Sequence, residues 1–353
     1  MRKLLGYQAK GKEVFIGLED AKRTWKICAR SEGDIIDQVS MPAKYEVLIK
    51  YIERAYPECK IKVMYEAGFH GFWLHDLLES DDIECIVTPP NLLVMEKRNK
   101  VKTDKRDARR IAKNLENDDY ISCHVPDQEL REDRQISRTL NQIQKKVIST
   151  KNQIRRLLEF HGLDREMKAG AWSNKNYENL RGLKLSDSLS ICLTSYLDTL
   201  SYLQKQQLKL TKELKKLSQK ERYQKTYNLF IGVYGIGFLT AIRFVLEWGD
   251  MRRFKNRSRF SSYLGFTPSE YSSGDTVHKG RITKQGNKYV RRWLVECAWL
   301  AKRRDPVLQM KYKRVLKSCG CKKKAIVATA RKLALRLRYI ALTEESYCLG
   351  LIN

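Results

Sequence analysis

The sequence has no run approaching 18 apolar residues, and its first residues lack a hydrophobic stretch followed by a small-residue cleavage site. These absences argue against a membrane-spanning helix and against a secretory signal. The sequence also contains no G-x-x-x-x-G-K-S/T and no G-x-G-x-x-G motif. This second absence argues against the use of a nucleoside triphosphate or a dinucleotide.

Cysteine and histidine are present, but their spacing does not suggest metal binding. The nine cysteines form no C-x-x-C pair and only one C-x-C, at Cys319 and Cys321. An odd count without an export signal is typical of reduced thiols in a cytosol. The five histidines are scattered, so we expect no zinc site.

Acidic residues are scarce beside basic ones, with 41 Asp and Glu against 69 Lys and Arg and a net charge of +28. Residues 222–338 alone carry 28 basic and six acidic residues, a net charge of +22. A polyanion bound there would release its counterions, so the charge predicts a nucleic-acid partner and salt-dependent affinity. A basic surface that merely keeps the protein soluble is the alternative.

Residues 13–125 alternate short β-like runs with helical segments, which predicts an α/β domain. Three strands are followed by helix, strand, helix, strand and helix. The predicted strands are Glu13–Gly17, Thr24–Ala29, Ile35–Val39, Ile61–Tyr65 and Ile83–Val87, and the predicted helices are Lys44–Ala55, Phe72–Leu78 and Asp104–Leu115.

Residues 136–217 carry two long apolar series at helical spacing, separated by a predicted turn region at 162–182. The pattern predicts an antiparallel helical hairpin or an oligomerisation arm, with ordinary helix packing as the alternative. The first series comprises Ile136, Leu140, Ile143, Val147, Ile154 and Leu157 or Leu158, and the second comprises Leu193, Leu197, Leu200, Leu203, Leu210, Leu214 and Leu217.

The basic third part opens with two glycines, Gly235 and Gly237, ahead of a predicted helix at Thr240–Trp248. Glycines allow the backbone to approach a phosphate at a helix N-terminus. We therefore predict a helix-hairpin-helix that contacts nucleic acid, with an ordinary turn as the alternative. Another helix is predicted at Lys288–Ala301, with Trp293 and Trp299 in the core.

Acidic residues of the first domain fall at strand ends and on one helix face. Glu19 and Asp20 follow the first predicted strand, Glu66 ends the fourth, and Asp104 and Asp107 lie three residues apart. Carboxylates in this pattern suit Mg²⁺, which phosphoryl transfer uses to screen the attacked phosphate. A structural interpretation is also open, in which Asp104 caps a helix and Asp107 pairs with a nearby arginine.

Six segments, in this order, resemble the DEDD transposases of insertion sequences. The resemblance covers nearly the whole chain and is to the "one-ten" family, which is related to the pilin-gene-inverting recombinases. The segments are FIGLEDAK (15–22), MYEAG (64–68), VTPP (87–90), KVKTDKRDARRIA (100–112), GIGFLTA (235–241) and LGFTPSEYSSGDTVHKGRITKQGNKYVRRWLVECAW (264–299).

The resemblance implies an RNase H-like, Holliday-junction-resolvase-like N-terminal domain, a coiled-coil middle and a C-terminal transposase domain with a catalytic serine. It also implies a bridge RNA that pairs with donor and target DNA. Glu66, Asp104 and Asp107 match the second, third and fourth acids of the DEDD set, which would hold Mg²⁺.

The first acid is ambiguous. The family pattern G-[IV]-D-x-x-K places Glu19 where the family has aspartate, whereas Asp20 keeps the residue type but is shifted by one. A shift of one residue in a strand reverses the face. We favour Glu19 as the ligand, and Asp20 remains its competitor.

The resemblance further implies that Ser273, which precedes Gly274, is the nucleophile, with Ser272 as the alternative in a shifted register. An attacking hydroxyl must be exposed, and a following glycine gives a loop room to present it. Nearby basic residues suit phosphate binding, since arginine can hold a phosphate with two hydrogen bonds. They are Lys279, Arg281, Lys284, Arg291 and Arg292.

We therefore expect an RNA-guided DNA recombinase of a prokaryotic cytosol, with a catalytic domain (1–125), a helical arm (126–222) and a mostly helical basic domain (223–353). Its expected partners are donor and target DNA, a guide RNA and further copies of itself in a dimer or tetramer, without a membrane. The acids and the serine lie about 160 residues apart, so they meet within one chain or between protomers. The alternatives are a metal-dependent junction nuclease in which water attacks and an inactive nucleic-acid-binding remnant.

Overall fold

The computed structural model describes residues 11–90, 93, 103–163, 165, 172–273 and 276–350, with only the backbone described at 174 and 271–279. The chain divides into two compact units, Met1–Val125 and Pro126–Asn353. The predicted further division at residue 222 stays a prediction. Within the described residues, no helix combines the length and the apolar character needed to cross a bilayer.

The N-terminal unit is a five-stranded mixed sheet with three helices, in the predicted order of elements. The strand order is β3-β2-β1-β4-β5; β1, β2 and β3 are antiparallel, whereas β1, β4 and β5 run parallel. The elements are β1 (Glu13–Glu19), β2 (Thr24–Ser31), β3 (Asp34–Pro42), α1 (Tyr45–Ala55), β4 (Lys60–Glu66), α2 (Trp73–Ser80), β5 (Glu84–Thr88) and α3 (Asp104–Glu116).

Alternate residues of β1 pack into different cores on the two faces of the sheet. Val14, Ile16 and Leu18 are buried in a cluster that also contains residues of α1 and α2. Phe15 belongs instead to the cluster formed with residues of α3. Both faces of β1 are therefore covered, which is typical of a strand in an α/β sheet with helices on each side.

The α3 helix approaches β1 closely at Gly17. A Cβ atom placed on Gly17 would lie 2.2 Å from the backbone N of Ala112 and 2.3 Å from the backbone O of Ala108. Since no side chain fits there, the glycine sets the distance between helix and strand. This contact holds α3 on the face of the sheet to which Gly17 and, two residues on, Glu19 belong.

In the C-terminal unit, two long helices form the predicted antiparallel hairpin. They are α4 (Gln128–Phe160) and α6 (Asp187–Leu217). Val147, Ile154 and Leu158 of α4 share one cluster with the early leucines of α6, whereas Leu140 and the last leucines of α6 join the main core of the unit. The hairpin is thus continuous with the basic region that follows it. The predicted turn region between the two helices itself contains a helix, α5 (Asn174–Arg181).

The rest of this unit packs around α8 (Phe238–Trp248), whose residues 241–248 are all buried. Trp248 stacks on Phe244, with ring centroids 4.5 Å apart. The surrounding elements are α7 (Glu221–Ile231), a 3₁₀ turn (Met251–Arg253), α9 (Arg257–Tyr263), β6 (Pro268–Ser273), β7 (Thr276–Ile282), α10 (Lys288–Ala301), α11 (Pro306–Cys319) and α12 (Lys322–Thr343). The mixed α/β unit and the mostly helical C-terminal region agree with the predicted fold class.

The prediction missed the antiparallel hairpin of β6 and β7. The segment was expected to present its serines on a loop, but Ser272 and Ser273 are the last two residues of β6. The β6 sequence, PSEYSS, lacks the alternating apolar pattern of a half-buried strand, and pairing with β7 specifies its conformation.

Candidate active site

Four candidate acids converge at one edge of the N-terminal sheet. Glu19 is the last residue of β1 and Glu66 the last of β4, and these parallel strands pair up to Leu18 and Tyr65. Asp104 and Asp107 lie in the first turn of α3. The carboxyl ends of parallel strands meet at one edge of a sheet, which is where α/β proteins commonly build their sites.

The electrostatics show that these carboxylates are close. Burial and then repulsion from Asp107, Glu66, Asp20 and Asp104 raise the pKa of Glu19 to about 7. Like charges disfavour ionisation only when they are near one another in a partly desolvated site. Such a cluster of mutually repelling carboxylates is a common property of functional sites.

An arginine lies among these acids. The Arg110 Nη2 atom donates to Glu66 Oε1 at 2.7 Å and lies 3.3 Å from Asp107 Oδ1. The guanidinium therefore neutralises part of the negative charge at this edge. The sequence predicted only that Asp107 could pair with a nearby arginine, and the spacing of three residues on α3 identifies that arginine as Arg110.

Glu19 and Asp20 have different surroundings. Glu19 alternates with Phe15 and Gly17 along β1, so it belongs to the face of the strand that α3 covers. The charge of Glu19 is coupled to the charges of all four other candidate acids. Asp20 Oδ2 lies 2.9 Å from His70 Nδ1, and this contact opposes the rise that burial causes in the pKa of Asp20. The neighbours of Asp20 thus include a histidine that can carry a compensating charge.

The donor chemistry at this edge fits a hard divalent cation, because every candidate ligand is a carboxylate. The raised pKa of Glu19 and the position of Arg110 both indicate a local excess of negative charge. Within the described ranges, however, no three Asp, Glu, His or Cys side chains are already gathered in an arrangement that could hold a metal ion. Binding would therefore require the side chains to rearrange, including a shift of Arg110.

The two candidate serines lie at the end of the β6–β7 hairpin. Ser272 pairs with Val277 and Ser273 with Thr276, so Ser273 is the last paired residue of β6 before the turn. Both side chains, like that of Lys279, fall outside the described residues.

The predicted phosphate-binding cations are in two kinds of environment. Arg281, in β7, and Lys284, two residues after that strand, are both exposed. Arg291 donates to the backbone O of Leu264 at 3.0 Å, and Arg292 donates to Asn141 Oδ1 at 3.1 Å. Arg281 and Lys284 are thus at the surface, whereas Arg291 and Arg292 each bind an acceptor within the protein.

The two glycines before α8 also differ. Gly235 has φ +91°, and a Cβ there would lie 2.9 Å from the backbone N of Ala301, so close packing against α10 explains this glycine. A Cβ on Gly237, the N-cap of α8, would have no atom within 4 Å. Of the two glycines, only Gly237 has open space around the position of its missing Cβ atom.

A buried glutamate that the sequence analysis missed contacts the segment that follows the β6–β7 hairpin. Glu247 of α8 is 1% exposed and accepts two 3.0 Å hydrogen bonds from Arg138 of α4 and one of 2.8 Å from Asn287 Nδ2. Asn287 also caps α10, five residues after β7 ends. One carboxylate therefore connects α4, α8 and the segment after the hairpin. The only hint in the sequence is an acid within an otherwise apolar stretch of helix.

Trp299 corrects another expectation. Trp293 is 4% exposed and lies in the core as predicted, but Trp299 is 39% exposed and contacts Tyr312 at the surface. The difference arises because the buried residues of α10, which include Cys297 and Ala301, lie on one face of the helix and Trp299 lies outside that face. The Lys302 Nζ atom lies over both of these rings.

Comparison with known proteins agrees with this architecture. Residues 16–162 match the DEDD transposase family of IS110 elements, and residues 227–313 match the family described as Transposase IS116/IS110/IS902. The y4rJ protein of Sinorhizobium fredii is 27% identical over 92% of this chain and 90% of its own length. The transposase for insertion sequence element IS1533 of Leptospira borgpetersenii is 22% identical over 82% of this chain and 85% of its own length.

These matches identify the class of the protein as the DEDD transposases, enzymes that act on DNA. Within that class, the chain belongs to the IS110 family of transposases. The resemblance inferred from the sequence motifs is therefore confirmed, and the protein is an enzyme of DNA transposition.

Proposed function

We propose that this transposase cleaves and rejoins donor and target DNA strands with the carboxylates of Glu19, Glu66, Asp104 and Asp107 and with the hydroxyl of Ser273. The observation that carries the proposal is the convergence of these acids, from two strand ends and one helix turn, at a single edge of the sheet. Finer features of the fold, namely the RNase H-like topology, the coiled coil and the helix-hairpin-helix, belong to the same proposal.

The acids would hold Mg²⁺, and the cation would screen the charge of the attacked phosphate. We assign Glu19 as the first acid because it belongs to the face of β1 that α3 covers, whereas Asp20 contacts His70. Glu66 and Asp107 share Arg110. In the proposed complex the cation would take over part of the role of that guanidinium as counter-charge.

In the proposed strand cleavage, the Ser273 Oγ atom gives up its proton and forms a bond to phosphorus. The bond from phosphorus to one sugar oxygen breaks, and that oxygen leaves as a hydroxyl after taking a proton. Attack by the hydroxyl of another strand reverses the step, frees the serine and joins the new strands. Each step exchanges one phosphoester bond for another, so no nucleoside triphosphate is needed. The sequence agrees, since it contains no motif for binding a nucleoside triphosphate.

Guidance by a bridge RNA and assembly into an oligomer complete the proposal. The net charge of +22 on residues 222–338 supports binding of more than one polyanion. Exposed Arg281, in β7, and exposed Lys284, two residues after that strand, supply cations on the same segment as the proposed nucleophile. Gly237 leaves space at the N-terminus of α8 for a phosphate.

The acids are tested by Asp107→Asn, which keeps the size of the side chain and removes one negative charge. We expect strand cleavage in Mg²⁺ to fall at least 100-fold, while circular dichroism and RNA binding stay unchanged. Asp119→Asn, at an exposed position of the same unit, is the matched control and should cleave normally. Near wild-type cleavage by Asp107→Asn would refute the acid site.

The serine is tested by trapping protein–DNA adducts that survive denaturation in SDS. Ser273→Ala should bind DNA and form no adduct, whereas Ser272→Ala should form adducts at close to the wild-type level. An adduct in Ser273→Ala but none in Ser272→Ala would move the assignment to Ser272. Cleavage by the double variant would instead support the metal-dependent nuclease in which water attacks.

A further inference from the structure

An exposed group of aromatic and basic side chains lies where α10 ends, outside both proposed catalytic motifs. Trp299 is 39% exposed and contacts Tyr312 of α11, with ring centroids 5.7 Å apart. The Lys302 Nζ atom lies 5.0 Å from the centroid of the Trp299 ring and 4.4 Å from that of the Tyr312 ring. One cation therefore contacts two aromatic rings, from two different helices, at the surface.

A third aromatic ring lies at the same end of α10. Tyr234 is 40% exposed, and the Arg304 guanidinium lies 4.7 Å from its ring centroid. The neighbouring Gly235 packs against α10, since a Cβ there would lie 2.9 Å from the backbone N of Ala301. Two cations that are two residues apart in the chain thus each contact an exposed ring. The group, called here the aromatic end of α10, comprises Tyr234, Trp299, Lys302, Arg304 and Tyr312.

The surrounding chain is strongly basic. Residues 299–324 contain ten Lys and Arg and a single acid, Asp305. Asp305 is 2% exposed and pairs with Arg336 at 2.6 Å, so its charge is held below the surface. The one acid of α10, Glu296, lies 3.6 Å from Arg292 of the same helix. The charge of this surface therefore complements a polyanion.

The combination of exposed rings with cations favours an unpaired strand over a duplex. In a duplex the faces of the bases are stacked on one another, and a protein reaches only the phosphates, the sugars and the base edges. In a single strand the base faces can stack on aromatic side chains while cations bind the phosphates. At the end of α10 the rings of Trp299 and Tyr234 each lie beside a cation, which suits a strand in which bases and phosphates alternate.

We propose that the aromatic end of α10 binds a single-stranded segment of nucleic acid. Bases would stack on its three rings, and Lys302 and Arg304 would bind the phosphates between them. This inference rests on the proposed function only in that the chain binds nucleic acid, and it does not depend on which residues cleave DNA. An unpaired strand is available either as DNA opened during strand exchange or as a loop of a structured RNA, and both offer the same base faces and phosphates.

Fluorescence anisotropy of a labelled twelve-nucleotide oligodeoxyuridylate, titrated with the full-length protein, tests the proposal. We expect Trp299→Ala to weaken binding about fivefold or more, the loss typical of one stacked base. Trp299→Phe keeps a ring and should bind within about twofold of the wild-type protein. Both variants should bind a twelve-base-pair duplex as the wild-type protein does, because the base faces of a duplex are not accessible.

Further variants separate the rings from the charge. Tyr234→Ala should weaken strand binding about fivefold, whereas Tyr202→Ala, which removes a 61% exposed ring from α6, is the matched control and should leave binding unchanged. Lys302→Gln should lower the affinity and flatten its dependence on salt concentration, because one phosphate contact is lost. Equal weakening by Tyr202→Ala would show that any exposed ring has this effect and would overturn the proposal.

Photocrosslinking of the wild-type protein gives a measurement that needs no substitution. A strand that carries 5-iodouracil should crosslink to Trp299, Tyr312 or Tyr234, and mass spectrometry of the digested protein identifies the residue. Crosslinks confined to other residues would overturn the proposal. Equal weakening of strand and duplex binding by Trp299→Ala would also overturn it, because the ring would then not act by stacking on a base.

An oligouridylate of the same length distinguishes the two sources of an unpaired strand. A larger effect of Trp299→Ala on the ribose strand identifies RNA as the ligand, a larger effect on the deoxyribose strand identifies DNA, and equal effects show that the surface accepts both. A wild-type protein that binds neither strand nor duplex would refute the nucleic-acid function itself. A wild-type protein that binds both, together with a Trp299→Ala variant that loses neither, would overturn only this inference.

Discussion

The acidic edge of the N-terminal sheet and a cavity of about 300 Å³ beside α12 both gather like charges, but they do so by different means. The acids are short side chains fixed at strand ends and in the first turn of α3. The cations of the cavity, Arg257 and Lys332, have long side chains around an apolar wall. Strand ends and one helix turn position the first set of charges, whereas two helices, α9 and α12, position the second.

The residues that neutralise part of the charge at the two places, Arg110 and Asp305, differ in how deeply they are buried. Arg110 contacts two acids of the edge, and its side chain is 20% exposed. Asp305 is 2% exposed and is bound by Arg336, Tyr347 and two backbone N–H groups, so it cannot leave its place. The counter-charge of the acidic edge is thus partly exposed, whereas that of the cavity is buried.

The largest effect is expected from a substitution that forces apart α3 and β1, the two elements that carry three of the candidate acids. Gly17→Ala adds a Cβ within 2.3 Å of two backbone atoms of α3, so α3 must move away from β1. We expect a loss of roughly 3 kcal/mol or more in the free energy of unfolding, together with loss of cleavage. Urea denaturation measures the loss. Gly237→Ala, where a Cβ meets no atom within 4 Å, should keep the stability of the wild-type protein; equal stability of the two variants would contradict the proposed packing.

The buried counter-charge of the cavity is tested by Asp305→Asn. The amide can still cap α11, but Arg336, whose side chain is 7% exposed, loses its counter-charge. We expect a loss of about 3–5 kcal/mol in the free energy of unfolding, the typical cost of breaking a buried pair. Asp250→Asn is the matched control, because Asp250 is an exposed N-cap without an ion pair in the described structure. A similar small loss in both variants would show that Asp305 acts only as a cap.

The smallest expected effect separates Glu19 from Asp20 in the metal-free protein. Glu19→Gln removes a carboxylate that four others repel, so the melting temperature should rise by about 2–4 °C for a gain of about 1 kcal/mol. Asp20→Asn should give no such rise, because it weakens the contact with His70. Thermal denaturation in EDTA measures both. A rise with Asp20→Asn and none with Glu19→Gln would exchange the two assignments.

Much of the N-terminal unit was predictable because its signals are local. The alternation in β1, the helical spacing of α3 and the acids at strand ends were all visible before the fold was known. The β6–β7 hairpin was not, because its sequence, rich in serine and charged residues, favours a loop and only pairing between the strands specifies its conformation. The helix α5 was hidden for a related reason, since eight residues give too short a pattern to distinguish from a turn.

The sequence by itself determined the family and the order of the elements in the N-terminal unit, and it predicted the candidate acids, because motif spacing and hydrophobic periodicity are properties of short stretches of chain. Only the tertiary structure decided that Glu19 and Asp20 have different neighbours, that Arg110 joins two of the acids and that Trp299 is exposed while Trp293 is buried. It also decided that Arg257 and Lys332, 75 residues apart in the chain, share one cavity. These outcomes depend on which faces of distant elements meet, and the packing of the whole unit determines that contact.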